Sequence, residues 1–138
     1  MCSSNRYVHK DIIPFTRKIM LCAGQRSLIT YGELQFQFYK DRNTIGFYAG
    51  VLGFVCEDLE WPLLNSLIVS KTTGQSSRGF DPFTKRSEQS WGDNVIDCYN
   101  KFKDFNPNKD KKFIKEITDE LLYWDGYSFE DIMEVSAQ

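Results

Sequence analysis

Apolar residues recur at helical spacing in several stretches of the chain, and they predict a mainly helical protein. Between Thr44 and Leu59, apolar positions fall every three or four residues, so they lie on one face of a helix that Trp61-Pro62 ends. Similar patterns predict further helices over residues 8–23, 87–105 and 110–124, a loop over 106–109, and a short final helix after Ser128.

One helix start is explicit in the sequence. Thr30 and Glu33 match the capping box, in which a hydroxyl and a carboxylate each satisfy a backbone N–H that the helix leaves unpaired. Ile29 and Leu34 have the spacing of a hydrophobic staple around this cap. A short helix is therefore predicted from Tyr31, and it ends at the polar turn 40–43.

A hairpin is predicted to follow the second of these two central helices. Residues 67–69 suit a buried strand, residues 71–74 a turn with Gly74 at positive φ, and residues 75–80 a polar return strand. Helix, helix and hairpin form a winged helix. The predicted fold class is therefore α+β, mainly α, in a single domain over 1–138. Its winged-helix-like core spans 27–80, and a helical C-terminal extension over 87–138 packs on it.

Composition points to a cytoplasmic protein. The 138 residues are 41% hydrophobic, but no apolar run has the roughly 20 residues of a membrane span, and the first residues lack the build of a signal peptide. The four cysteines are scattered, which favours free thiols, although an even number also permits two disulfides. With His9 as the one histidine, no metal site and no cofactor site are expected.

Charge is unevenly distributed along the chain. Residues 1–87 carry 11 Lys and Arg against 7 Asp and Glu, whereas residues 88–138 carry 6 against 12. The first part has a net positive charge and favours binding of a polyanion, whereas the second part has a net negative charge and repels one. Basic residues lie on or just after the predicted hairpin, where a wing meets phosphates, although solvated surface charge has the same appearance. These residues are Lys71, Arg78, Lys85 and Arg86.

Three glycines fall on one side of the 44–59 helix, namely Gly46, Gly50 and Gly53. Each costs a helix roughly 1 kcal/mol relative to alanine. Such a stripe indicates close approach of another backbone. The first candidate is a helix of the same fold, and the alternatives are a nucleic acid or a second protein.

The order of these central motifs resembles the DNA-binding domain of alkyltransferase-like proteins and O6-alkylguanine-DNA alkyltransferases. The family's Thr-Tyr-Gly-Glu-Leu helix start is matched by residues 30–34, its Arg-Ala-Val-Gly start loosely by residues 43–46, and its hairpin by residues 68–74. The resemblance implies that Tyr31 and a helix N-terminus contact phosphates, with the 44–59 helix facing a groove. The family's reactive Pro-Cys-His-Arg is replaced by Pro62-Leu-Leu-Asn65, which excludes alkyl transfer. The family's helix-opening arginine is matched by Asn43, one residue after Arg42, which weakens the expectation of base flipping.

No catalytic constellation is visible, so the sequence predicts binding rather than chemistry. The first hypothesis is a non-enzymatic, winged-helix binder of double-stranded DNA, of the kind found as a bacterial or phage accessory protein. Its predicted nucleic-acid contacts are Tyr31, Arg42, Asn43, Lys71, Arg78, Lys85 and Arg86. The alternative is a regulatory module that binds a protein partner through its aromatic, acidic C-terminal helices.

Overall fold

The computed structural model describes residues 7–77 and 80–128, and it confirms an α+β, mainly α fold. Two short strands and a 3-10 helix over Leu64–Leu67 accompany the α-helices. The strands are β1 (Ile29–Thr30) and β2 (Ile68–Val69). The α-helices are α1 (Ile12–Gly24), α2 (Tyr31–Phe38), α3 (Arg42–Leu59), α4 (Asp81–Ser87), α5 (Trp91–Lys101) and α6 (Lys111–Tyr123).

The start of α2 is the one that the sequence predicts. The backbone N–H of Glu33 donates to Thr30 Oγ1 at 3.1 Å, and the backbone N–H of Thr30 donates to Glu33 Oε1 at 3.2 Å. This is a complete capping box. The helix ends when Tyr39 adopts the left-handed region at φ 54°.

Helix α3 begins at Arg42, two residues earlier than predicted. Asp41 provides the cap, because its Oδ1 accepts a hydrogen bond of 2.7 Å from the backbone N–H of Thr44. The predicted apolar face is buried from Ile45 to Cys56, and the helix ends at Leu59 before Trp61-Pro62, as predicted.

The predicted hairpin wing is wrong in its strand pairing. β2 pairs in parallel with β1, with Ile29 opposite Ile68 and Thr30 opposite Val69. The chain after β2 makes a turn in which Gly74 has φ +68° and its N–H donates to the Ser70 carbonyl at 2.8 Å. No strand is assigned over residues 75–77, and residues 78 and 79 lie outside the described part. The strand that pairs with β2 is therefore β1, before α2, and not the return strand that the sequence predicted.

The predicted helix over 87–105 is shorter in the structure, and a helix that the sequence did not predict precedes it. α4 occupies Asp81–Ser87, directly after the predicted return strand over 75–80, and Glu88 at φ 58° separates it from α5. Ser90 then caps α5 through a second capping box with Asp93. The helices α1 and α6 match their predictions within a few residues at each end, whereas the predicted final helix lies almost wholly outside the described residues.

One buried cluster includes side chains from both the central stretch and the C-terminal helices. Trp61, after α3, lies with its ring 5.5 Å from that of Phe102 and 5.7 Å from that of Phe113, at the start of α6. The C-terminal helices therefore share a core with α3. Among the helices described, none is both long and apolar enough to cross a bilayer.

Candidate nucleic-acid interface and adjoining cavity

A cavity of about 220 Å³ opens between the starts of α2 and α3 and the segment that leads into α4. Three of the predicted nucleic-acid contacts, Tyr31, Arg42 and Asn43, line it together. The remaining lining residues are Gly46, Ala49, Gly50, Asn65, Ser77, Phe80 and Phe83. The structure thus brings together side chains that lie in four separate segments of the chain.

Arg42 and Tyr31 form one wall of this cavity. The guanidinium carbon of Arg42 lies 4.9 Å from the centre of the Tyr31 ring, within the range of a cation–π interaction. Arg42 is exposed, and it forms no ion pair within residues 7–77 and 80–128. As the first residue of α3, it places a cation beside the helix N-terminus that the carboxylate of Asp41 caps.

The hydroxyl of Tyr31 joins α2 to the turn that follows β2. It lies 2.9 Å from the hydroxyl of Ser77, and either group can donate the hydrogen bond. Tyr31 is buried, with 8% of its surface exposed. Its ring packs against the guanidinium of Arg42. Its hydroxyl contacts Ser77, which belongs to the segment that forms the opposite wall of the cavity.

The three glycines of α3 have two different environments. A Cβ on Gly53 would lie 2.4 Å from Cζ of Phe83, so this glycine allows α4 to pack closely on α3. A part of the same fold therefore packs on one glycine of the stripe, as a side chain and not as the backbone that the sequence predicted. A Cβ on Gly46 or Gly50 meets nothing within 4 Å, and both residues line the cavity. At Gly46 and Gly50 no side chain covers the backbone of α3 where the cavity opens.

Asn65 is a site residue that the sequence analysis did not select. Only 6% of it is exposed, and its Oδ1 is buried without a hydrogen-bond partner in the described structure. Leaving a buried acceptor unpaired costs roughly 1–3 kcal/mol, so this oxygen requires an explanation, as do Thr16 Oγ1 and Trp124 Nε1 elsewhere. In the sequence, the one indication of this site residue was an asparagine among the leucines of residues 63–67.

Among the other predicted contacts, Lys71, Lys85 and Arg86 do not line the cavity. Arg86 donates to both carboxylate oxygens of Glu57, from Nε at 3.0 Å and from Nη2 at 3.2 Å, and it lies over the ring of Phe83 at 4.8 Å. This arginine is therefore occupied in holding α4 on α3. Lys71 is exposed in the turn after β2, Lys85 is exposed on α4, and Arg78 is outside the described residues.

Asp11 fixes the turn that carries Arg42. Its carboxylate pairs with Lys40 and accepts a hydrogen bond from the hydroxyl of Tyr48. Burial raises the pKa of Asp11, but the hydrogen bonds from Lys40 and Tyr48 and the charge of Lys40 outweigh it, so the pKa lies below its ordinary value. Burial, followed by contact with Asp11, raises the pKa of Tyr48.

The described cysteines are not activated. Cys22, Cys56 and Cys98 are free and buried, which confirms the free thiols predicted for these three positions. Burial raises the pKa of Cys56 to about 12, and it also raises that of Cys98. Within the described ranges, no group of three His, Cys, Asp or Glu side chains is arranged to hold a metal ion.

Comparisons of this chain with protein-family models, with curated proteins and with solved structures gave no match. The resemblance of residues 27–80 to the alkyltransferase-like DNA-binding domain stays a prediction from the sequence.

Proposed function

We propose that this protein binds DNA without catalysing a reaction on it, and that it contacts phosphates through the N-terminal end of α3. The observation that carries the proposal is Arg42, an exposed cation without an acidic partner in the described structure, which lies over Tyr31 beside an open cavity. Phosphate oxygens are the ligands that a guanidinium at a helix N-terminus prefers.

The glycines of α3 support this proposal. Gly46 and Gly50 have no neighbour within 4 Å of a Cβ position, so another backbone can approach α3 closely at this point. Asn43 lines the same opening and offers a carboxamide that both donates and accepts. Lys71 in the turn after β2, with Arg78 and Lys85, provides a second, peripheral set of cations in the proposal. Arg86 contributes by holding α4 in place.

The chemistry of the gathered side chains supports binding rather than catalysis. A guanidinium, two carboxamides and a phenol hydrogen-bonded to serine include no imidazole, carboxylate or amine that could act as a general base. The thiols with raised pKa values are equally unsuited to attack a substrate. We further propose a cytoplasmic accessory protein, in keeping with these free thiols.

A salt series tests the proposed function. Arg42→Glu is expected to weaken binding to a labelled mixed-sequence duplex and to flatten the plot of log K against log salt by about one unit, since one phosphate contact is lost. Arg17→Glu is the matched control, because Arg17 is an exposed arginine on α1 that does not line the cavity. Equal losses in both variants, or no binding of the unaltered protein at low salt, would reject the proposal.

A protein partner is the second candidate function, and exposed apolar side chains on the C-terminal helices favour it. Ile96 on α5 is 57% exposed, and Tyr123 on α6 is 60% exposed. Such residues mark interaction surfaces when they lie together. A duplex-binding experiment that fails at low salt would favour this candidate.

A further inference from the structure

Part of the cavity floor is helix backbone that no side chain covers. Gly46 and Gly50 both line the cavity, and a Cβ on either residue would meet no atom within 4 Å. The two glycines are four residues apart in α3, so they lie on the same face of the helix. A ligand can therefore lie closely along the backbone of α3 between them.

Two phenylalanine rings and the carboxamide of Asn65 close one end of the cavity. Phe83 and Asn65 both lie over Gly53, because a Cβ there would approach Cζ of Phe83 to 2.4 Å and Nδ2 of Asn65 to 2.7 Å. The ring of Phe80 lines the same cavity, with its centre 5.8 Å from that of Phe83. This end therefore offers aromatic surface to a flat group and a carboxamide beside it.

The carboxamide of Asn65 makes no hydrogen bond within residues 7–77 and 80–128, although only 6% of the residue is exposed. Its χ2 torsion is a soft one, so the amide plane can turn its buried oxygen towards the cavity. A carboxamide accepts through its oxygen and donates through its nitrogen. The ligand that satisfies both therefore presents an amide edge, in which an N–H group stands next to a carbonyl.

The opposite end of the cavity has a cation. Arg42 is exposed there and forms no ion pair within the described ranges, so its guanidinium is available to an anionic group. Arg42 opens α3, whereas Asn65 lies over Gly53. Residues 42 and 53 are roughly 16 Å apart along the axis at the helical rise per residue. The ligand is therefore elongated, with an amide edge at one end and a negative charge at the other.

The volume of the cavity limits the flat group to one ring. A cavity of roughly 150 Å³ holds benzene, so about 220 Å³ accommodates a six-membered ring with its substituents. Uracil and thymine are single rings with an amide edge. A sugar phosphate attached to such a ring extends the ligand towards the cation.

We propose that the cavity binds a free pyrimidine nucleoside monophosphate, with its base against Phe80, Phe83 and Asn65 and its phosphate at Arg42. A free nucleotide enters the cavity without the cost of unpairing a base in a duplex. Asn43 also stands where the resemblance places an inserted arginine, so the chain lacks that residue to fill the gap of a flipped base. The inference goes beyond the proposed function, because this ligand requires no DNA.

Calorimetric titration with three matched ligands tests the proposal. Uridine 5′-monophosphate has both recognised groups, uridine lacks the phosphate, and ribose 5-phosphate lacks the base. Uridine 5′-monophosphate is expected to bind about tenfold or more tightly than either fragment. Equal affinities for uridine 5′-monophosphate and ribose 5-phosphate would overturn the proposal, because attraction of a phosphate to an exposed arginine would then explain all of the binding.

Two variants assign the two ends of the ligand. Asn65→Leu should weaken binding of uridine 5′-monophosphate about tenfold and change that of ribose 5-phosphate less than twofold. Arg42→Gln should weaken binding of uridine 5′-monophosphate about tenfold and change that of uridine less than twofold. Arg17→Gln is the matched control, because Arg17 is exposed on α1 and does not line the cavity. Losses of equal size on all three ligands would contradict this assignment.

A third variant tests whether the ligand lies in the cavity. Gly50→Leu places a side chain over the open part of the floor, where its Cβ meets no atom within 4 Å, and it should abolish binding of uridine 5′-monophosphate. Binding that survives this substitution would place the ligand elsewhere and overturn the proposal. Thermal unfolding of each variant without ligand shows whether a loss of binding is due to misfolding.

The outcomes separate this inference from the proposed function. Duplex binding that depends on Arg42, without binding of the free nucleotide, overturns the inference and leaves the proposed function standing. Nucleotide binding that depends on Asn65 and Arg42, without duplex binding at low salt, supports the inference and rejects the proposed function. If Asn65→Leu weakens duplex binding while no free nucleotide binds, the inference is overturned and the cavity belongs to a base of the DNA.

Discussion

Phe83 of α4 lies directly against the backbone of α3 at Gly53, and a Cβ there would approach its ring to 2.4 Å. The contact explains why one glycine of the stripe is required by the fold. Phe83 also lies beneath the guanidinium of Arg86, which pairs with Glu57 near the end of α3. Helix α4 is thereby held in place as one wall of the cavity.

The three glycines of α3 are predicted to respond differently to substitution by alanine. Gly53→Ala forces Phe83 and Asn65 to move and should destabilise the protein by about 1–3 kcal/mol. Gly46→Ala and Gly50→Ala meet open space and should stabilise α3 by roughly 0.5–1 kcal/mol each. Urea unfolding measures all three. A stabilised Gly53→Ala protein would contradict the packing of α4 on α3.

The hydrogen bond between Tyr31 and Ser77 should be measurable by a double-mutant cycle. Tyr31→Phe and Ser77→Ala each remove one hydroxyl of the pair and should cost about 0.5–1.5 kcal/mol. Since the two hydroxyls interact with each other, the double variant should cost less than the sum of the single variants. Strict additivity in chemical denaturation would show that the two hydroxyls do not interact in solution.

The unpaired side-chain oxygen of Asn65 should lower the free energy of unfolding of the ligand-free protein. Asn65→Leu replaces a buried, unpaired oxygen with an apolar group of similar shape, and it should raise the free energy of unfolding by roughly 1 kcal/mol. Asn94→Leu is the matched control, because buried Asn94 accepts from the N–H of Leu63 at 3.5 Å and donates to the Ser90 carbonyl at 3.0 Å. The control should be destabilised by about 1–3 kcal/mol. Equal destabilisation of both variants would mean that Asn65 is satisfied in solution.

The stabilising effect of Asp11 should depend on pH. The pKa of this carboxyl is lower in the folded protein than in the unfolded chain, because Lys40 and Tyr48 favour its charged form. Its contribution is therefore complete above the unfolded pKa of about 3.9 and is lost as the pH falls through the lower, folded value. Urea unfolding of Asp11→Asn and of the unaltered protein should give a difference in stability at neutral pH that narrows as the pH falls below about 3.9. A gap of constant size would exclude this linkage.

Local features of the fold were predictable because their causes lie within a few residues. Thr30 and Glu33 are three positions apart, and together they determine where α2 begins. Trp61-Pro62 ends α3 for an equally local reason. The apolar face of α3 required only its own periodicity. Tyr31, Arg42 and Asn43 were selected from the resemblance, and the structure places all three at one cavity.

Features that depend on distant parts of the chain were not predictable in this way. The buried strand at Ile68 was predicted, but its partner depends on the folded position of Ile29. The sequence predicts Arg86 as a phosphate contact. Its ion pair with Glu57 was not predictable, because it joins residues 29 positions apart. Asn65 was missed since an asparagine in an apolar run does not reveal whether its oxygen finds a donor.

The hydrogen bond between Tyr31 and Ser77 joins residues 46 positions apart, and the strands nearby are only two residues long. Such contacts cannot nucleate folding, because the entropy of closing a long loop must be overcome before they contribute anything. We therefore expect the cavity walls to come together after α3 and its core have formed. We also expect these walls to separate first when the native state opens locally, so a ligand that fills the cavity would stabilise the folded state by binding to both walls at once.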